Sequence, residues 1–290
     1  MKKINGYKVF TFFNYLFMIF IVLITLYPVW HVVMASFSET SKLYVHSGTI
    51  LWPLGKPSTE AYEMVFKHRL ILSGFKNTLF VLVVGVIVNL IFTMLGAFFM
   101  SVKGPMFSNV FGYMVIISMY FNGGMVPTYL NIVDLGLLDS RWALIFPVAI
   151  TTSNMIIMKS AFVAVPSSLV ESALLDGANY GQVLVRVMAP LCKATIAVLV
   201  LYYGVSHWNS WFSASIYLRD ANKYPVQLVM RNILSTLTSG VGGVEADEAA
   251  LVAQQMQYAL IVVVSLPVMV IYPFIQKYFV KGVMIGAVKG

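Results

Sequence analysis

Glu171 and Asp176 stand in an island of polar, turn-prone residues, 166–190, inside a chain that is otherwise close to continuous hydrocarbon. The chemistry on offer there is helix punctuation. Ser168 followed three residues later by Glu171 has the spacing of a capping box, in which each side chain satisfies an orphan backbone donor of the other residue. Asp176-Gly177 is a stop signal, because glycine tolerates the left-handed conformation that ends a helix. Asn179 followed by Gln182 repeats the start. The stretch predicts two short helices joined by a bend. The first begins near Leu169 and carries Leu169, Val170, Ala173 and Leu174 as an apolar face about one turn wide, a shape suited to docking in a groove of another protein.

A second set of candidates is neutral. Asn122, Asn154, Trp208, Asn209 and Trp211 could face a sugar, since hydroxyls want hydrogen bonds and sugar rings pack on aromatic faces. The blander assignment is helix packing, because polar groups also join membrane helices and tryptophan collects at membrane interfaces. Cys192 is the single cysteine; it forms no internal disulfide and reads as a packed thiol. No Cys/His spacing builds a metal site. No Walker-type glycine loop is present, so the chain is expected not to hydrolyse ATP, and no catalytic triad is legible. The apolar segments hold no carboxylate, offering instead neutral groups such as Asn89, Asn154 and Gln257. Ion-driven carriers usually need ionisable residues there, so an outside source of energy is the simpler reading.

These residues are set in a membrane protein. Of 290 residues, 59% are hydrophobic and 10% charged, with a mean hydropathy of +0.84, far from the roughly one-quarter charged residues of a soluble domain. The net charge of +8 does not point to nucleic acid, because the basic residues form no patch or arm. Apolar segments at 9–35, 77–100, 109–129, 142–165, 191–212 and 255–278 are each near the roughly 20 residues that cross about 30 Å of hydrocarbon. The first has a basic start but is too long for a secretory signal core and is expected to be a retained span. The third is interrupted by Asn122-Gly123-Gly124 and Pro127, and broken backbone at membrane depth is tolerated only in protein or along a cavity.

Six spans put both termini on one side. That side carries Lys2, Lys3, Lys8, Lys103, Lys159, Arg186, Lys193, Lys277, Lys281 and Lys289, with only Glu171 and Asp176 as acids. The opposite side spreads its basic residues over longer loops, 36–75, 130–141 and 213–254, which count little in the positive-inside rule. Both termini and the 166–190 stretch are therefore expected in the cytoplasm. Within the first external loop, Trp52-Pro53-Leu54-Gly55 marks a turn and 58–70 a short amphipathic helix; 239–250 reads as a flexible acidic linker.

Glu171-Ser172-Ala173, then Asp176-Gly177-Ala178, then Pro190-Leu191 resembles the EAA loop of importer-type ABC transporter permeases. Ser172 replaces the usual first alanine, and Ala189 stands where that loop has leucine before its proline. Across nearly the whole chain the sequence is similar to the carbohydrate-uptake, maltose-transporter-like branch. The 279–290 tail and the 121–130 segment resemble that branch too, nearest the subgroup serving complex or acidic oligosaccharides. The resemblance implies an all-α, polytopic permease fold of six transmembrane helices, one transmembrane domain over 1–290 in the cytoplasmic (inner) membrane. Glu171, Ser172, Ala173, Asp176, Gly177 and Ala178 would form the loop that couples to an ATP-binding-cassette ATPase dimer, which brings ATP and Mg. Lys281, Gly282, Lys289 and Gly290 of the tail would reach that dimer. The implied partners also include a second, different permease chain, an extracytoplasmic solute-binding protein, and an oligosaccharide such as one derived from alginate or pectin. An importer of another solute, an ion-coupled sugar carrier and a structural membrane subunit are the alternatives.

Overall fold

The structure, a computed structural model, describes residues 6–102, 106–239, 254–271 and 273. The expected tail contacts Lys281, Gly282, Lys289 and Gly290, and the acidic segment 240–250, lie outside the described residues. In chain order the helices are α1 (Gly6–Ser36), α2 (Thr40–Val45), α3 (Glu60–Lys67), α4 (Arg69–Ser101), α5 (Ser108–Tyr120), α6 (Met125–Asp134), α7 (Thr152–Val163), α8 (Ser167–Leu175), α9 (Tyr180–Gln182), α10 (Ala189–Leu191), α11 (Lys193–Trp208), α12 (Trp211–Tyr217), α13 (Val226–Ser239) and α14 (Gln254–Ile271). Short 3-10 turns at Arg141–Leu144 and Phe146–Val148 precede α7, and a π turn, Val183–Met188, joins α9 to α10. No strand occurs among the described residues.

Three helices, α1, α4 and α14, are long and apolar enough to cross a membrane unaided. Three bent pairs pass the same test as single spans: α5 with α6 at 116°, Arg141–Val148 with α7 at 52°, and Tyr180–Leu191 with α11 at 88°. The 116° break sits on the expected Asn122-Gly123-Gly124 interruption. Gly124 has φ +89°, which a side chain would strain.

The chain divides into two compact units, Met1–Arg69 with Met230–Pro267 and Leu70–Val229 with Val268–Gly290. In the first, Ala35, Leu43 and Ile50 are buried together with Tyr258 against them. The Gln255 amide donates to Ser38 O and accepts from Thr40 Oγ1, both at 2.8 Å. Trp30 Nε1 donates to Leu51 O and meets Trp52 edge-on at 6.4 Å. The short helix expected in 58–70 is α3.

The second unit is organised on α4. Gly74, Gly85 and Gly96 recur every eleven residues along it, close to three helical turns, and mark a seam where neighbours come in. A Cβ at Gly74 would meet the Val226 backbone, at Gly85 the His207 ring, and at Gly96 the Met155 side chain. Small residues permit such approach where helices cannot rely on water to drive them together. Between them, Thr93 and Tyr203 hydroxyls bond at 2.6 Å inside the protein.

Candidate functional site

Two places in the second unit bring functional side chains together. The first is the 166–190 hairpin. Here α8 starts at Ser167 behind Pro166, whose φ of −56° and extended ψ serve as the N-cap, with no side-chain cap bond. Ser168 therefore falls inside the first turn, and the expected Ser168–Glu171 capping box does not form. The stop does: Gly177 takes φ +84°, Gly177 N donates to Leu174 O and Ala178 N to Ala173 O, both at 3.0 Å. These are the paired bonds of a Schellman motif. The second start also forms, as a reciprocal capping box in which Asn179 N donates to Gln182 Oε1 and Gln182 N to Asn179 Oδ1, each at 2.9 Å. Pro190 has no N–H for the carbonyl of Arg186 and crowds it. The preceding backbone widens into the π turn, and the chain swings through 88° into α11.

The apolar stripe of α8 does not wait for a partner. Val170, Ala173 and Leu174, with Ala178, pack against the buried cluster of Phe162, Val183, Met188 and Leu199, so most of the stripe expected to dock elsewhere is used inside the chain. Its geometry explains this: the Gly177 bend folds α8 back over the helices it leaves. What remains outside is a mixed face with exposed Glu171, Ser172, Asp176 and Gly177, alongside Leu169, Leu175, at 88% exposure, and Tyr180.

The second place is a cavity of about 380 Å³ between the broken α5/α6 pair, the 141–148 turns and the α11–α12 junction. Asn122 and Asn209 line it, as does a polar set absent from the sequence reading: Thr128, Ser206, His207, Ser210, Ser213 and Tyr217. In sequence Ser206, Asn209, Ser210 and Ser213 have the spacing of one helical face, i, i+3, i+4, i+7, which is the available signal, while in the structure they bridge the end of α11 and the start of α12. Asn154, Trp208 and Trp211 do not line the cavity. Asn154 is buried on α7. Trp208, 5% exposed, packs on Phe75, because the rotation that turns Ser206 and Asn209 outward turns Trp208 inward. Trp211 packs against the Tyr217 cluster and meets Phe212 edge-on.

That rotation is fixed by His207. Its Nε2 lies 2.7 Å from Asn89 Oδ1, and Asn89 Nδ2 donates to Val148 O. The amide oxygen can only accept, so Nε2 carries the proton. Gly85, one turn before Asn89, clears the space the ring occupies.

Beyond the cavity, Asp139 clamps the 217–223 chain. Its carboxylate accepts from Arg219 N and Asp220 N at 3.0 Å each and from Lys223 Nζ at 2.7 Å. The Lys223 bond, then the two backbone bonds, hold its pKa down at about 2 against an ordinary 3.8. Asn77 donates to Asn222 O and Tyr224 O, and Arg141 donates to Asn77 Oδ1 while lying 4.5 Å over the Phe80 ring.

No protein-family model matches the chain. It is 37% identical over 286 residues to the polygalacturonan/rhamnogalacturonan transport system permease protein YtcP of Bacillus subtilis (strain 168), covering 98% of this chain and 99% of that one. To protein LplC of the same organism it is 39% identical over 295 residues, covering 100% and 98%. In the crystal structure of a bacterial ABC transporter involved in the import of the acidic polysaccharide alginate, one chain matches with a TM-score of 0.85 and 32% identity over 95% of this chain and 98% of that chain. On full-length identity and shared fold together, this protein belongs to the carbohydrate-uptake family of ABC transporter permeases.

Proposed function

We propose that the chain is one of two different permease subunits of an importer for oligosaccharides, among them fragments of acidic plant or algal polysaccharides. It contributes half of the pathway from a single permease domain, 1–290, with six spans in the cytoplasmic membrane and both termini in the cytoplasm. An extracytoplasmic binding protein delivers the sugar, and an ATPase dimer, holding ATP and Mg, drives alternating access.

The observation that carries this reading is the hairpin. Its inner side shares a core with the spans while its outer side presents Glu171, Ser172, Asp176 and Gly177, which is what a mechanical coupler needs. Exposed Glu171 and Asp176 offer acceptors to a basic or hydrogen-bonding cleft on the ATPase, and Ala173 and Ala178 seat the helices behind them. The tail residues Lys281, Gly282, Lys289 and Gly290 add a second contact with that dimer. In the pathway, Asn122 and Asn209 are the sequence candidates that the cavity supports. The names borne by the relatives, polygalacturonan/rhamnogalacturonan and alginate, support the sugar class.

Affinity purification of the tagged chain should bring down a second permease and an ATP-hydrolysing chain, with ATPase activity stimulated by oligogalacturonate or oligoalginate in the presence of the binding protein. A purified complex that holds no ATP-hydrolysing chain overturns the reading.

A further inference from the structure

Ser206 at the end of α11, Asn209 in the junction and Ser213 on α12 present side-chain polar atoms to the cavity. Serines and threonines on apolar helices normally satisfy themselves by bonding a carbonyl three or four residues back. Thr128 Oγ1 does so to Gly124 O, Ser210 Oγ to His207 O and Ser215 Oγ to Phe212 O, at 2.7 to 2.8 Å. Among the described residues, the hydroxyls of Ser206 and Ser213 and the amide of Asn209 make no such bond. All three line the same cavity, across the α11–α12 junction. Ser206 and Asn209 are exposed and Ser213 is half-buried, so their polar atoms stand open to a ligand in the cavity, and the buried His207–Asn89 bond and buried Trp208 fix the rotation of α11 that brings Ser206 there. Beside them in the lining, Phe212 is 53% exposed.

We infer that Ser206, Asn209 and Ser213 form a sugar-binding wall, pairing with pyranose hydroxyls while the ring of Phe212 takes the apolar face of the sugar. The assignment rests on the oligosaccharide-import reading above and gives it a specificity. Hydroxyls and an amide exchange neutral hydrogen bonds with sugar hydroxyls on either side of the donor–acceptor relation, and the described lining contains no Lys, Arg, Asp or Glu. The wall therefore reads the hydroxyl pattern of a sugar and not its carboxylate.

The test uses the purified permease–ATPase complex. Equilibrium binding, without binding protein, is measured for radiolabelled trigalacturonate and for its carboxyl-reduced, neutral counterpart. Ser206→Ala, Asn209→Ala and Ser213→Ala should each raise Kd by roughly 3- to 10-fold, the worth of one neutral hydrogen bond, by the same factor for both sugars. Ser213→Thr, which keeps a hydroxyl, should restore binding, and Ser215→Ala, outside the lining, should leave Kd unchanged. Absence of saturable binding to the wild type, unchanged Kd in the three alanine variants, or an effect confined to the acidic sugar overturns the wall. Uptake into vesicles supplied with binding protein separates the two readings: a wild-type importer that accumulates neither sugar overturns oligosaccharide import itself, whereas normal uptake alongside unchanged Kd values overturns only the wall.

Discussion

His207 Nε2 donates to Asn89 Oδ1 across 2.7 Å, and Asn89 passes a bond on to the carbonyl of Val148, so one buried amide ties α4, the 141–148 turns and α11 together. Replacing Asn89 with leucine leaves the imidazole N–H and the Val148 carbonyl without partners, at a cost of about 1–3 kcal/mol for each buried group. Gly85→Val drives a branched side chain into the imidazole and should cost about 1–3 kcal/mol through overpacking. Thermal unfolding of the purified complex in detergent reads both. Wild-type unfolding temperatures in the two variants would show that the bond does not brace the helices.

The Asp139 clamp has a pH signature. Its carboxyl titrates at about 2 in the folded chain against an ordinary 3.8, a depressed value. The stabilisation is therefore complete above about 3.8 and is lost as pH falls toward 2. Pepsin, active in that window, should nick the 217–224 segment increasingly from pH 4 to pH 2 in the wild type. The Asp139→Asn variant keeps a residue type that tolerates the left-handed φ of 56° but loses the charge, and its cleavage should be rapid and nearly flat across the same range. A wild-type pH dependence surviving in that variant would place the titration elsewhere.

Substitutions at Gly177 test the coupling role proposed for the hairpin separately from its folding. Gly177→Ala must hold a left-handed conformation and should lose about 1–2 kcal/mol. Gly177→Pro cannot reach φ +84° and also deletes the bond to Leu174 O. In vesicles, Gly177→Pro and Glu171→Ala should leave the chain inserted and the ATPase active while sugar uptake per ATP falls several-fold or more. Uptake at the wild-type ratio in both would remove the hairpin from the coupling path.

Trp208 should behave as a core residue. Trp208→Ala opens a void beside Phe75 and should destabilise the complex by about 3–5 kcal/mol. Trp208→Phe, retaining most of the volume, should bind oligosaccharide with wild-type affinity. A large loss of affinity in Trp208→Phe at unchanged unfolding temperature would return this residue to the sugar path.

The features legible from sequence were those dictated by local backbone chemistry. Asn122-Gly123-Gly124 announced the α5/α6 break, Gly177 the bend of the hairpin, and Asn179 with Gln182 its second cap, because each depends on residues within a turn of one another. Ser168 failed as a cap since Pro166 starts the helix first. The three pathway candidates that lie off the cavity, Asn154, Trp208 and Trp211, share only a side-chain type suited to sugar, which says nothing of rotation about a helix axis. For Trp208 that rotation is set by the contacts of its neighbour His207 with Gly85 and Asn89, more than a hundred residues away in sequence, and no local pattern encodes it. The inward turn of Val170, Ala173 and Leu174 was hidden for the same reason: a stripe shows that a face is buried, not against what.

The sharing of one packed cluster by Val170, Leu174, Phe162 and Met188 has a mechanical meaning. A loop tethered only at its ends absorbs a push by bending, and little of the stroke arrives. This hairpin is mortised into the body it leaves, so a displacement applied at its acidic outer face would be passed directly to the helices packed behind it. In the proposed coupling it would act as a crank and not as a strap.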